Sequence, residues 1–311
     1  MPKTLFKLCI SFLFISIILI DSGKPLYGQQ GKSFTFDAEL AALFGNNSNV
    51  VVEEIDLTTT TTDTFFTTRA KANADYAFSK QHSASVSISY NDKQYSAADS
   101  FNLQTNFFSA GYKFKHEAYT INLDYRRASA KLGGNDFLVL TQVSPALSFF
   151  VNKQNFVRIS YTRIDKELVN NPIRNAKSDE YGLGYYFFWK GLNDYFISSV
   201  KFRQEHTLEP IFNFSSYQVR FAYKKRYSAM GYNVRLTVDA KYRQRDYNET
   251  LNPAINEFRT DKRSAFGIVN EAEVLDDFFW NLELSYVTNN TNLANAAFSE
   301  TVLTSGIKYQ F

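Results

Sequence analysis

The chain has 311 residues, a formal charge of +3 and 21% charged residues, a balance too even for a nucleic-acid binder, and it holds no basic run. Its 30 Phe and 20 Tyr sit in a chain of mean hydropathy −0.30. Large apolar groups alternate with polar ones from end to end instead of gathering into blocks, which argues against a water-soluble core and fits a sheet with lipid on one face and water on the other.

Lys3 and Lys7 form a basic start, and Leu8 to Ile20 is an apolar run of roughly 13 residues, short of the ~20 that span a bilayer as a helix. Small Gly28 precedes Gln29-Gln30. Residues 1–28 are therefore predicted to be a cleaved secretory signal and residues 29–311 the mature domain. Cys9, the one cysteine, lies inside the apolar run, so neither a lipoprotein signal, a disulfide framework nor a cysteine-ligated metal site is implied for the mature chain. No later segment approaches ~18 consecutive apolar residues, so any membrane span is made of strands.

Alternation with period two marks a half-buried strand. From Val234 to Arg243 one face reads Val, Leu, Val, Ala, Tyr and the other Arg, Thr, Asp, Lys, Arg; a helix would scatter these charges around its circumference. The test predicts about fourteen strands, near 33–45, 64–79, 83–97, 101–114, 117–130, 136–151, 155–168, 177–189, 194–206, 213–225, 230–246, 261–275, 278–290 and 298–311. Pro145 costs its strand a ladder hydrogen bond and suggests a bulge. Links after even strands are short and polar, as in Lys115-His116 and Asp276-Asp277. The long links follow odd strands: Asn46 to Asp63, Val169 to Ala176 and Tyr247 to Thr260. Within the first, Thr58 to Thr62 is low-complexity and is expected to be mobile. This asymmetry predicts an all-β, closed, antiparallel up-and-down transmembrane barrel with both termini periplasmic.

The last strand alternates Leu303, Ser305, Ile307, Tyr309, Phe311 against Val302, Thr304, Gly306, Lys308, Gln310. Ile307, Tyr309 and the terminal Phe311 resemble the C-terminal signal read by the bacterial barrel-assembly machinery, which that resemblance implies as a partner. Phe78, Phe114, Tyr119, Phe187, Trp189, Phe196, Phe278 and Trp280 stand next to short turns, as interfacial belts do. Outer-membrane lipid and lipopolysaccharide are the other expected partners. Asp63 and Asp99 in outer loops are candidates for divalent cations or lipopolysaccharide.

Inward positions carry charge. Lys201, Arg203, Arg220, Lys224, Arg235, Lys241 and Arg243 form a basic arc. Asp37, Glu39, Asp75, Glu271, Glu273 and Glu283 form an acidic arc beside it, with Arg69 and Lys71 breaking the separation. Such a lumen is expected to be wet and to orient polar solutes; the other reading has the same charges pair and seal it. In size and strand count the mature chain resembles the monomeric porins of the bacterial outer membrane. That resemblance implies a passive channel for small polar solutes. The alternative is a non-conducting structural or assembly component of a secretion, surface-export or lipoprotein-display machine. An enzyme is not expected: there are three histidines, His82 and His116 in turns and His206 near a rim, and the adjacent carboxylates Glu53-Glu54 and Asp276-Asp277 fall in loops or turns. No metal-ligand spacing or phosphate loop implies a cofactor.

Overall fold

The computed structural model describes residues 33–59 and 61–311; the predicted signal, residues 1–28, lies outside them. The alternating segments form fourteen antiparallel strands, each hydrogen-bonded to its neighbours in sequence, with the first paired to the last. They are β1 (Ser33–Asn47), β2 (Asp63–Ala77), β3 (His82–Tyr95), β4 (Leu103–Lys115), β5 (Thr120–Leu132), β6 (Asn135–Phe150) and β7 (Asn155–Leu168). The second half comprises β8 (Ala176–Leu192), β9 (Asp194–Thr207), β10 (Phe214–Ala229), β11 (Tyr232–Asn252), β12 (Glu257–Leu275), β13 (Phe278–Thr291) and β14 (Phe298–Gln310). Closure leaves no sheet edge, which a strand-built membrane protein requires because lipid cannot satisfy backbone N–H and C=O groups.

Side chains that bond across non-adjacent strands identify the inside. Arg69 of β2 reaches Glu283 of β13 at 3.0 Å, and Lys308 of β14 reaches Glu271 of β12. The register carries that parity around the barrel. The opposite face exposes Phe44, Ile88, Leu123, Ile159, Leu183, Phe221 and Ile307, an apolar band too continuous for a water-facing surface. Parts of the inner wall are small and polar: Ser83, Ser85, Ser87 and Ser89 of β3 share a face with Ser109 and Gly111 of β4.

Two local expectations change. Pro145 keeps its register with Leu123 on β5. Toward β7 the ladder skips from Val143 to Ala146 without shifting. The missing N–H interrupts the ladder, and the bulge lies instead at the start of β6, opposite Ala130/Lys131. The predicted loop from Tyr247 to Thr260 is mostly a prolongation of the β11–β12 hairpin, which pairs again at Asn252 and Glu257 and turns through Asn256 at φ 55. In the first long link, Val51–Val52 pairs with Leu57–Thr58 around a 3-10 turn at Glu53–Ile55, so much of this segment has regular structure.

The closing seam pairs Glu39 to Asn47 of β1 with Val302 to Gln310 of β14. Below it, Ala38 N–H donates to Phe311 O at 2.7 Å and Phe311 N–H to Ala38 O at 3.0 Å. Tyr309 packs on Phe278 and Phe311. Gly306 lies opposite Leu43, where an added Cβ would come within 2.1 Å of Ala42 O and 2.7 Å of Leu43 Cα. A strand glycine marks such a close backbone approach.

Candidate functional site

The inner wall places the basic residues read from the alternation on β9 to β11. Lys201 donates to Glu180 of β8 at 2.6 Å, and Arg220 to Asp239 at 2.5 Å. Arg203 pairs with Glu205, which also takes Lys166. Arg235 donates to Gln310 of β14 at 3.3 Å and lies 4.4 Å over the Phe279 ring. Lys224 and Lys241 share this face with Arg220 and Asp239. Of the acids, Glu283 holds Arg69, Glu271 and Glu39 flank Lys308, Asp37 accepts from Asn73 at 2.6 Å and Glu273 from Asn233 at 3.0 Å. Asp75 lies opposite Thr35 and Ser85. Glu180 and Glu205 interleave with the cations, so the basic arc is studded with carboxylates.

The strongest charge cluster involves a loop. L1, residues 48–62, joins β1 to β2 at the end of the barrel that carries the long links. Its root is pinned by Val50, 2% exposed among Phe65, Tyr95 and Phe101, and by Ser48 N–H donating to Thr301 O at 2.9 Å. From there it runs inward. Glu53 meets Arg243 and Arg245 of β11 and Arg263 of β12, all inward positions. Asp56 sits at φ 52, a left-handed conformation that aspartate tolerates better than most residues. There its carboxylate accepts from Arg259 of β12 at 2.7 Å and from Arg174 of the β7–β8 link at 2.7 Å. Arg174 also donates to Glu54 O at 2.9 Å. L1 thus spans from the β1 side of the mouth to the opposite β7–β8 link.

Burial alone would raise the Asp56 carboxyl. The hydrogen bonds and charge of Arg259, with the charge and hydrogen bond of Arg174, override it and hold the group below the ordinary carboxylate range. Asp261 and Tyr247 complete the surroundings: Arg259 chelates Asp261 at 2.9 and 2.8 Å, and Tyr247 OH donates to Asp261 at 3.2 Å. Charge-assisted guanidinium–carboxylate contacts of this kind are the stronger hydrogen bonds available to a protein.

Sequence reading missed Asp56 and four of the arginines gathered here, Arg174, Arg245, Arg259 and Arg263. Glu53 was seen only as a loop carboxylate. The available signal was the density of inward arginines at Arg243, Arg245, Arg259 and Arg263 on one hairpin, a cluster that needs counter-charge from elsewhere. A second omission is aromatic: Phe150, Phe156, Tyr186, Phe188 and Tyr195 stand on the inner wall near the short turns and contact one another in sequence. Ile307 and Tyr309 face outward beside Trp280 and Phe278. His82 Nδ1 bonds Tyr112 OH at 2.6 Å, His116 stacks on Tyr119, and His206 lies 3.8 Å from Glu249 on an exposed outer position. Asp63 spends its carboxylate on the N–H groups of Thr64, Ala97 and Ala98. Asp99 is an exposed residue opening a 3-10 turn.

Residues 48–301 match the surface lipoprotein assembly modifier family. No curated protein matches in sequence. Among solved structures, the anion-selective porin from Comamonas acidovorans is similar at TM-score 0.50 and 7% identity, over 90% of this chain and 100% of that one. The monoaromatic hydrocarbon channel CymD gives TM-score 0.49 at 10% identity, over 91% and 88%. CdiB from Acinetobacter baumannii gives TM-score 0.47 at 8% identity, over 89% and 60%. At such identities the porin likeness speaks to the fold, a closed outer-membrane barrel. The chain lies in the outer membrane.

Proposed function

Because this chain belongs to the surface lipoprotein assembly modifier family, we propose that its barrel works in placing lipoproteins at the cell surface, as a gated passage rather than a constantly open one. The observation that carries the gate is L1, tied across the mouth through Glu53 and Asp56 to five arginines of the wall and the β7–β8 link. In this reading the short turns and both termini are periplasmic, the long links and L1 face outward, and the protein's role is translocation or assembly rather than catalysis. Deleting the gene is expected to leave a cognate lipoprotein expressed but shielded from antibody or protease added to intact cells, with display restored by the wild-type chain. Unchanged display in the deletion strain would remove this reading.

The second reading, a passive channel for small polar solutes, is favoured by the small polar inner wall at Ser83 to Ser89 and Ser109. The two readings differ in what moves L1: a polypeptide cargo in the first, thermal opening alone in the second.

The outward Ile307, Tyr309 and Phe311 are the surface offered to the barrel-assembly machinery, and the apolar band and its belts to lipid and lipopolysaccharide. Removing Phe311 deletes the backbone pair with Ala38 and the ring against Tyr309. The expected result is slower appearance of the heat-modifiable folded form in outer-membrane fractions; assembly at the wild-type rate would refute that role.

A further inference from the structure

Behind L1 lies a cavity of about 150 Å³. We propose that it binds a phosphate-class oxyanion. This stands on the cavity alone and does not depend on the lipoprotein reading.

Its wall brings together Lys166, Arg174, Arg203, Arg245 and Arg259. Glu53, Glu54, Asp56 and Glu205 oppose them, but Glu53 is shared with Arg243 and Arg263 just beyond. Arg259 divides itself between Asp56 and Asp261. With Arg243, Arg263 and Asp261 included, seven cations face five carboxylates. The Nε atoms of Arg174, Arg203 and Arg245 are buried without a hydrogen-bond partner among the described residues, and all three arginines line this one cavity. Buried donors of this kind are normally satisfied, and a charged one is the costliest to leave unpaired.

The guanidinium planes are fixed. Arg174 stacks 4.2 Å over Phe212, and Arg245 lies 4.8 Å over Phe214. Their outer ends are tied to Asp56 and Glu53; Arg203 is tied to Ser178 at 3.0 Å and to Glu205. Guanidinium groups from different elements around one cavity suit an acceptor with several oxygens, and guanidinium groups favour phosphate geometry. The cavity is several times the ~30 Å³ share of one water, room for a tetrahedral anion. Such an anion would touch both the loop-bound Arg174 and the wall, linking its occupancy to the position of L1.

The test is calorimetric titration of the purified, detergent-solubilised chain with inorganic phosphate, at constant ionic strength set by chloride. A saturable single-site heat is expected. Arg203→Gln combined with Arg245→Gln should weaken it about tenfold or more, the scale of one lost charge-assisted hydrogen bond. Heat-modifiable gel mobility confirms that the variant barrel is folded, and Arg203→Lys offers a second, milder variant expected to weaken binding less. No saturable heat, or equal binding by folded wild type and double variant, overturns the site. Competition by lipid A micelles, against micelles of a phosphate-free lipid, then assigns the source. Displacement of phosphate by lipid A alone identifies a headgroup, and no displacement identifies free phosphate; either supports the oxyanion site.

Discussion

Glu53→Gln together with Asp56→Asn is expected to convert a quiet barrel into a conducting one in planar bilayers. Each substitution keeps the side chain's shape and removes the charge that holds L1. Breaking a buried ion pair from one side costs about 3–5 kcal/mol. Glu53 and its partners Arg243 and Arg263 remain 19–27% exposed, which brings the figure nearer 2 kcal/mol, or roughly 30-fold in the released population. The reverse change, Arg243→Gln with Arg263→Gln, attacks the same latch from the wall and should have the same sign. Acid supplies a third route. Because Arg259 and Arg174 hold the Asp56 carboxyl low, its contribution to docking is complete above the ordinary carboxylate range and is lost as the pH falls through the lowered value. Conductance should stay flat from neutral to mildly acidic pH and rise below about 4. Variants with wild-type conductance at every pH would show that L1 does not control the passage.

Gly306→Val should be the most damaging single substitution in the barrel. Its Cβ would collide with backbone on β1, at Ala42 O and Leu43 Cα, so no side-chain rotation can relieve it. The seam is also where the sheet must close. Pushing β1 from β14 leaves backbone groups unpaired against lipid, at a cost of several kcal/mol each. The measurement is the fraction of chain reaching the heat-modifiable form in the outer membrane, expected to fall to a few per cent of wild type on the scale of such losses. Gly267→Val is the control: the nearest atom to its added Cβ, Leu284 O, is 3.9 Å away. Equal recovery of both variants would dismiss the seam as a special site.

The barrel was legible because its information is local. Each strand announces itself by alternation, as at Val234 to Arg243, and parity then assigns inward charges such as Lys201, Arg220 and Glu283. The extra length of the β11–β12 hairpin was harder to read. The stretch from Tyr247 to Thr260 was read as a loop, whereas Asn252 and Asn256 build one tight turn at its tip. The path of L1 was not legible at all. Nothing near Glu53 in sequence marks it as buried; its partners Arg243, Arg245 and Arg263 come about two hundred residues later and reach it only once the barrel has closed. The cavity shares that origin, since its arginines come from β9, β11, β12 and the β7–β8 link.

The chain has two tryptophans, and both belong to one belt. Trp189 ends β8 and Trp280 begins β13, each beside a short turn, exposed to 60% and 43% on the outer face. Its indole emission is therefore a one-sided ruler of the membrane, reporting the depth of a single interface while the mouth with L1 stays spectroscopically dark. Quenchers placed at graded depths in the acyl chains would follow tilt and insertion of the barrel without any label, and a tryptophan introduced into L1 would add a signal from the other end.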